Sequence, residues 1–353
     1  MDDTAAGFAD RIFTSALGYF DITSMYLGLR LGLYRTLADA PPLTASELGD
    51  RAGIAERYAR EWLEQQTTRG ILLADVGGDE ARFTLPPGHA EALLDGDSMS
   101  FVGASVGQLM SIRNAIGAVE EAFRTGGGVP YEAYGAESVE GQGAGNRPTF
   151  LRTLPDEWLP AIPAIHERLS DRDARVVDVG CGTGWSSIAV ARAYPRATVD
   201  GFDPDELSVE LACRNAAAND VGDRVRFHQV DGAALTGGPY DVAMAFECIH
   251  DMSRPVEVLR AVRGALADDG SMLVVDERTN EAFTGEPDER EAYFYGWSIL
   301  DCLPAGMYDQ PSAGTGAVMR PSTLRRYAEE AGFSGLDVLP IEHDAFRLYL
   351  LHR

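Results

Sequence analysis

The residues with the clearest chemical signature form a glycine-rich turn between a predicted strand and a predicted helix. Residues 176–186 read VVDVGCGTGWS. Glycines let a ligand approach the backbone closely, and the free amides of a helix N-terminus attract polar or anionic groups. A dinucleotide-binding turn has its third glycine five positions after the first, but Trp185 stands there and Gly184 comes one position earlier. The turn therefore predicts a nucleotide-like ligand and argues against a dinucleotide.

Further landmarks follow at the ends of the next three predicted strands. Asp203 ends the second strand, where a carboxylate can accept hydrogen bonds from both hydroxyls of a ribose. Asp231 and Gly232 end the third strand, and Phe246 ends the fourth. Because the carboxyl ends of parallel strands share one edge of the sheet, these residues are expected to surround one ligand.

In this order and spacing, the landmarks resemble class I S-adenosylmethionine-dependent methyltransferases. The resemblance implies S-adenosylmethionine as cofactor and S-adenosylhomocysteine as product. It also implies that Asp203 binds the ribose, that Asp231 and Gly232 bind the adenine amino group, and that Phe246 lies against the adenine. In the family, the acid at Asp178 often orients the glycine turn. The predicted cofactor-binding residues are Asp178, Gly180, Gly182, Gly184, Asp203, Asp231, Gly232 and Phe246.

A histidine follows the fourth strand, within the segment 247–252 that reads ECIHDM. This segment is similar to the His-Asp-Trp segment of caffeate-type and polyketide O-methyltransferases, which implies that His250 is the general base. Glu277, after the fifth strand, matches a family acid that orients this histidine. An imidazole suits proton removal near neutral pH. Met252 replaces the usual tryptophan, and a structural or substrate-orienting role for His250 stays open; no metal site is predicted.

Aromatic and glycine-rich segments outside these motifs are candidates for acceptor binding. The resemblance places a substrate wall between the fifth and sixth strands, which implies an apolar or aromatic acceptor, although these residues could equally belong to the core. The wall candidates are Tyr293, Tyr295, Trp297 and Met307. Residues 124–148 are glycine-rich and are predicted to be an active-site cover or a linker. Tyr131, Tyr134 and Arg147 of this segment could touch a substrate or serve the structure alone.

Composition excludes several functions. The formal net charge of −25 makes nucleic acid and anionic membranes unfavourable partners. All 30 basic residues are arginine, so P-loop and Schiff-base lysines are absent. The four cysteines lie too far apart for a zinc knuckle or a redox pair, and no apolar run reaches the ~18 residues of a membrane span. A cytoplasmic protein is predicted.

The first 95 residues are predicted to form a winged helix. Thr44 and Glu47 form a capping box at the start of one helix, and the helix that follows it is predicted to turn Tyr58, Trp62 and Leu63 inward. Residues 1–95 carry 8 arginines and 15 acids, and 8 − 15 = −7 favours a dimerisation domain over a DNA-binding one. The apolar positions Leu27, Leu31 and Tyr34 are the predicted dimer face.

The rest of the chain alternates strands and helices. This pattern predicts an α/β fold with a Rossmann-like, doubly wound, seven-stranded sheet whose last strand is antiparallel. The predicted divisions are 1–95 for the winged helix, 96–170 for a connecting and cover segment, and 171–353 for the methyltransferase domain. The predicted function is methyl transfer to a hydroxyl, or less readily a nitrogen or carbon, of a small specialised metabolite by a homodimer. The alternatives are a non-catalytic, cofactor-binding regulator that uses its winged helix on DNA and an NAD-dependent oxidoreductase.

Overall fold

The structure is a computed structural model that describes residues 4–353. The chain divides into two compact units, one ending at Met110 and the other beginning at Ser111. The division therefore falls fifteen residues beyond the predicted end of the winged helix. Most of the predicted connecting segment, from residue 111 onward, belongs to the second unit.

The first unit has the predicted order of helices followed by a two-stranded wing. Its elements are α1 Ala5–Arg30, α2 Leu33–Ala38, α3 Ala45–Ala52, α4 Glu56–Thr68, β1 Leu73–Asp75, β2 Arg82–Thr84 and α5 Pro87–Leu94. The wing strands pair antiparallel. Helix α6, Gly103–Thr125, contains the boundary between the units.

The structure of this unit agrees with the sequence predictions except at two residues, Tyr34 and Tyr58. Both bonds of the capping box form, since the Glu47 amide donates to Thr44 Oγ1 at 3.2 Å and the Thr44 amide donates to Glu47 Oε2 at 2.8 Å. Tyr34 is fully buried in the core of the unit, so it lies outside any surface that could dimerise. Tyr58 was expected to point inward with Trp62, but it lies on the outer face of α4 and is 78% exposed.

The glycine-rich segment of the second unit is helical, which differs from the predicted irregular cover. Its elements are a 3₁₀ turn at Tyr131–Tyr134 and α7 at Ala136–Pro148. A π-helical stretch at Thr149–Trp158 and α8 at Pro163–Asp171 follow it. A glycine-rich helix has few apolar side chains and so shows no apolar periodicity. Its glycines instead allow close packing, since a Cβ on Gly143 would come 2.2 Å from Thr183 Oγ1.

A seven-stranded sheet forms the centre of the second unit. Its strands are β3 Arg175–Val179, β4 Thr198–Asp203, β5 Val225–Gln229, β6 Tyr240–Phe246, β7 Leu266–Glu277, β8 Gly335–Val338 and β9 Phe346–His352. The spatial order is β5-β4-β3-β6-β7-β9-β8. Strand β9 is antiparallel to both of its neighbours, which confirms the predicted antiparallel last strand and places it one position in from the edge.

Helices cover both faces of this sheet, as its alternating sequence predicts. They include α9 Trp185–Ala193, α10 Glu206–Ala218, α11 Pro255–Ala265 and α14 Pro321–Ala331. Two further helices, α12 Glu289–Trp297 and α13 Leu303–Gly306, lie between β7 and α14 in the chain. A π-helical turn at Ser298–Cys302 joins α12 to α13. No helix among residues 4–353 is long and apolar enough to cross a membrane.

Candidate active site

A cavity of about 370 Å³ lies in the second unit, where β3, β4 and β6 end. Ligands of open α/β sheets bind outside the carboxyl ends of the strands, where the strand order reverses. Strands β4 and β6 flank β3 in this sheet, so the cavity is at the reversal point. The cavity wall contains six of the eight predicted cofactor-binding residues: Gly180, Gly182, Asp203, Asp231, Gly232 and Phe246.

Each glycine of the turn has a distinct role. All three have φ in the left-handed region, at 68°, 49° and 82° for Gly180, Gly182 and Gly184. A Cβ on Gly180 would lie 2.7 Å from Cys248, and one on Gly184 would lie 2.5 Å from the ring of Phe227. A Cβ on Gly182 would meet no protein atom within 4 Å, because this glycine borders open space in the cavity. Gly184, which does not line the cavity, thus holds the turn against the sheet, and Gly182 leaves room for a ligand.

The predicted ribose ligand Asp203 is fixed by backbone amides. Its Oδ2 accepts from the Gly182 amide at 2.8 Å, and its Oδ1 accepts from the Asp205 amide at 3.0 Å. Burial raises the pKa of Asp203 to about 6, against the lowering effect of these two bonds. Each carboxylate oxygen has a further lone pair, so the group can still accept from a ligand hydroxyl. The arrangement couples the ribose candidate directly to the glycine turn.

Asp178 lies beneath the turn and does not line the cavity. It is completely buried, and its Oδ2 accepts from the hydroxyls of Ser186 and Ser187 at 2.6 and 2.7 Å. Burial raises its pKa to about 6. Its contacts with the hydroxyls of Ser186 and Ser187 join it to the first turn of α9, which directly follows the glycine turn.

His250 lies in a buried cluster beside the cavity and not in the cavity wall. Its Nδ1 is 2.9 Å from Asp276 Oδ1 and 3.0 Å from Glu277 Oε2. Burial lowers the pKa of His250, but the charges of Glu277 and Asp276 outweigh this effect and hold it well above 6.5. The predicted His250–Glu277 pair is thus brought together, and Asp276 is a partner that the sequence analysis missed.

The pKa values of the two acids of this cluster shift in opposite directions. Burial raises the pKa of Glu277 well above 4.5, whereas the charge and hydrogen bond of His250 overcome burial and lower the pKa of Asp276. Of the two acids, Asp276 is therefore the closer partner of the imidazole. One ligand atom from each residue lies within 4.8 Å of the others, so among the described residues these are also the side chains that could hold a metal ion.

Several cavity residues were not identified from the sequence. Glu247, Asp251 and Asn146 line the cavity, and Asn146 Nδ2 donates to Glu247 Oε1 at 3.1 Å. Glu247 has φ of 52°, in the left-handed region that side-chain-bearing residues rarely adopt. Its position directly after Phe246 was a usable signal, because polar residues at strand ends face the ligand edge. Asn146 could not be found in this way, since its helix shows no sequence pattern.

The residues predicted to form the acceptor wall lie outside the cavity wall. None of Tyr293, Tyr295, Trp297 and Met307 lines the cavity, and Tyr293 is 58% exposed. Of the glycine-rich segment's candidates, Tyr131 lines the cavity, and its hydroxyl donates to Gln142 at 3.1 Å. Tyr134 is buried and donates to the Leu300 carbonyl, while the Arg147 guanidinium lies over the ring of Trp185 at 4.9 Å.

Comparison with known families matches both units. Residues 170–316 match a family described as a methyltransferase domain, and residues 22–94 match an Rv2258c-like winged HTH domain. A malonyl-acyl-carrier-protein O-methyltransferase from Halalkalibacterium halodurans is 28% identical over 108 residues, which are 29% of this chain and 39% of that protein. The chain thus spans about two fifths of the length of that curated relative.

Solved structures share the fold over nearly the whole chain. The mitomycin 7-O-methyltransferase MmcR superposes with a TM-score of 0.75 at 20% identity, covering 99% of this chain and 98% of that one. Human N-acetylserotonin methyltransferase in complex with S-adenosylmethionine superposes with a TM-score of 0.68 at 17% identity, covering 100% and 99%. At these identities the likeness shows the fold.

The chain therefore contains a methyltransferase domain preceded by a winged helix-turn-helix domain. The predicted fold class and domain types are confirmed, and S-adenosylmethionine is the cofactor that we propose below. The cavity fits this cofactor, because it combines the open space beside Gly182 with a carboxylate at Asp203.

Proposed function

We propose that the protein transfers a methyl group from S-adenosylmethionine to a hydroxyl of a small, specialised metabolite. The observation that carries this proposal is the cavity, with the glycine turn and Asp203 joined at the reversal point of a methyltransferase-domain sheet. The acceptor class is supported by the names of the structural neighbours, which act on mitomycin and N-acetylserotonin.

In this proposal the chain's own residues bind and orient the cofactor. When bound, S-adenosylmethionine supplies an electrophilic methyl group. Gly180 and Gly182 admit it to the backbone, Asp203 accepts from the ribose, and Asp231, Gly232 and Phe246 border the adenine. Asp178 and Gly184 act indirectly by holding the turn. Proximity within the cavity then accounts for much of the rate enhancement.

His250 has two roles that its geometry supports. With Nδ1 held by Asp276, its Nε2 is the atom that would accept a proton from the acceptor hydroxyl. The ring is only 2% exposed, however, Cys302 is hydrogen-bonded to it, and the charges of Glu277 and Asp276 raise its pKa, which together favour a positioning role. The general-base assignment of His250, with Glu277 as its partner, stays a prediction that kinetics must decide.

We propose a homodimer formed through the first unit. Helix α1 exposes six large apolar side chains, which are Phe8, Ile12, Phe13, Tyr19, Phe20 and Leu27. Leu27 and Leu31, from the predicted face, are each 49% exposed. Monomeric proteins rarely expose so long an apolar surface. Light scattering should give twice the 38.1 kDa chain mass; a monomer would contradict the proposal.

The surface of the winged helix supports dimerisation over DNA binding. The arginines on the exposed face of α4 are already paired, Arg57 with Glu61 and Arg60 with Glu56. A helix that reads DNA needs free basic side chains. All four cysteines are free thiols in the structure, which supports the cytoplasmic location proposed from the sequence.

Isothermal calorimetry followed by a transfer screen tests the function. We expect S-adenosylhomocysteine to bind and to raise the melting temperature. Radiolabelled methyl transfer to members of a phenolic metabolite panel should then be detected. Heat of binding for NAD, with none for S-adenosylhomocysteine, would overturn the proposal.

A further inference from the structure

The cavity wall is strongly acidic. Seven carboxylates line it: Glu132, Asp203, Asp205, Asp231, Glu247, Asp251 and Asp309. Within the described chain, Arg254 is the one basic side chain in this wall, and its guanidinium already donates to Asp231 at 3.1 Å. A wall of this charge favours a cationic ligand.

Most of the inner carboxylates have a structural task. Asp203 accepts two backbone amides, Asp205 accepts the Ser208 amide at the start of α10, and Asp231 accepts the Ala233 amide. Glu247 accepts one neutral amide from Asn146, and its neighbour Asp251 is influenced by burial and by nearby charges without a hydrogen-bond donor. These two carboxylates are therefore available to a ligand.

The backbone holds Glu247 at the cavity in spite of an unfavourable conformation. Its φ of 52° is costly for a residue with a Cβ. Its amide donates to the Val275 carbonyl at 2.8 Å, which ties it to β7, and Asn146 fixes the carboxylate from α7. Strain that is retained at a ligand site indicates that the side chain has a task there.

The order of the strands indicates which half of the cofactor would lie near Glu247. Asp203 ends β4, and Glu247 follows β6, with β3 between them. Since neighbouring strands are about 4.8 Å apart, these two positions are separated by roughly 10 Å. With the ribose at Asp203 and the adenine toward Asp231 near β5, the methionine half extends toward β6. That half carries the sulfonium, the ammonium and a carboxylate of S-adenosylmethionine, and S-adenosylhomocysteine lacks only the positive charge of the sulfonium.

We infer that Glu247 and Asp251 supply the counter-charge for the cationic half of S-adenosylmethionine, so that the site prefers the charged methyl donor to the product with its neutral sulfur. This inference rests on the proposed function. Such a preference would limit product inhibition, because loss of the sulfonium charge on methyl transfer removes an attraction that holds the ligand.

The burial of Glu247 and Asp251 supports the binding of a cation beside them. It raises the pKa of both Glu247 and Asp251 to about 7, although the charge of His250 opposes the increase. Glu247 faces Asp276 and Asp251, and Asp251 faces Asp301, Asp276 and Asp203. A bound cation should therefore release protons at neutral pH, whereas a ligand with a neutral sulfur should release fewer.

Calorimetry on the full chain tests the inference with three ligands. These are S-adenosylmethionine, S-adenosylhomocysteine and sinefungin, in which an amine replaces the methylated sulfonium. We expect Glu247→Gln to weaken the two cationic ligands about tenfold and S-adenosylhomocysteine less than about threefold. Glu132→Gln is the matched control, because Glu132 lines the same cavity at its exposed rim, and it should leave the ratio of affinities unchanged.

The outcomes separate the inference from the proposed function. Equal weakening of all three ligands by Glu247→Gln, or the same change in ratio with Glu132→Gln, would overturn the inference while leaving the function intact. Failure of the wild-type protein to bind any of the three would overturn the proposed function itself. Circular dichroism checks the fold of each variant, and Asp251→Asn repeats the measurement if Glu247→Gln does not fold. Equal weakening of the three ligands by Asp251→Asn would also count against the inference.

Discussion

Asp203, at the end of β4, and the pair Asp276 and Glu277, at the end of β7, are acidic residues of the second unit whose environments differ. Asp203 is held by backbone amides beside open space, so it can still accept from a ligand. Asp276 and Glu277 are held by an imidazole in a closed cluster, and the Oδ2 atom of Asp276 has no hydrogen-bond partner. Asp203 is therefore open to a ligand, whereas Asp276 and Glu277 form a closed cluster with His250. Position after a strand does not distinguish them, because Asp203 and Glu277 each end one.

The largest effect is expected on turnover, from a change at His250 in the closed cluster. His250→Ala should lower turnover by about 10² to 10⁴ if the imidazole removes the acceptor proton, and it should leave S-adenosylhomocysteine affinity nearly unchanged. The loss should shrink as pH rises, since a phenol with pKa near 10 ionises unaided.

Steady-state kinetics from pH 6 to 9, after a circular dichroism control, provide the measurement. His250→Gln is the companion variant, because it keeps a donor for Asp276. Full turnover in the alanine variant would make the histidine a structural residue. Rescue by glutamine would assign it a positioning role.

For Asp203, the expected effect is on ligand affinity. Asp203→Ala should weaken S-adenosylhomocysteine by roughly 1 to 3 kcal/mol, because two hydrogen bonds from the ribose to a carboxylate are lost. Asp205→Ala, which removes the cap of α10, is the control for damage to the neighbouring helix. Calorimetry that shows equal losses for both variants would remove Asp203 from the ribose site.

A glycine substitution tests how the helical segment meets the glycine turn. Gly143→Ala would place a Cβ 2.2 Å from Thr183 Oγ1, and we expect it to lower the free energy of unfolding by about 1 to 3 kcal/mol. Gly117→Ala, in α6, meets no atom within 4 Å and should raise it by up to ~1 kcal/mol through helix propensity. Chemical denaturation that ranks the two variants in the opposite order would show that α7 does not pack on the turn.

The smallest effect concerns stability and pH. With pKa raised to about 7, Glu247 binds a proton in the folded chain where the unfolded chain, near 4.5, has released it. Stability should therefore increase as pH falls from 8 to 6, and Glu247 should account for about 1 kcal/mol of this increase. The raised pKa of His250 acts in the same direction, since its contribution is lost as pH rises. Melting curves of Glu247→Gln should show a smaller pH dependence than those of wild type; parallel curves would contradict the assignment.

Much of this protein follows from local sequence. The strand–glycine turn–helix unit around Gly182, the capping box of Thr44 and Glu47, and six cavity residues were predictable because each depends on neighbours in the chain or on the end of a strand. The alternation of buried strands and helices similarly determined the sheet and its antiparallel last strand. These features depend on backbone conformation and on periodicity, which a single sequence contains.

Tertiary structure alone decided what lies across the cavity. The helix α7 presents Asn146 to Glu247, 101 positions later in the chain, and no local pattern encodes that distance. Likewise, only packing turned Tyr34 inward, turned Tyr58 outward and enclosed His250 between two acids. Burial and partner choice depend on which distant segments meet, and burial in turn sets the pKa of each acid. The sequence therefore determined which residues stand at the strand ends, and the folded chain determined which of them face a ligand.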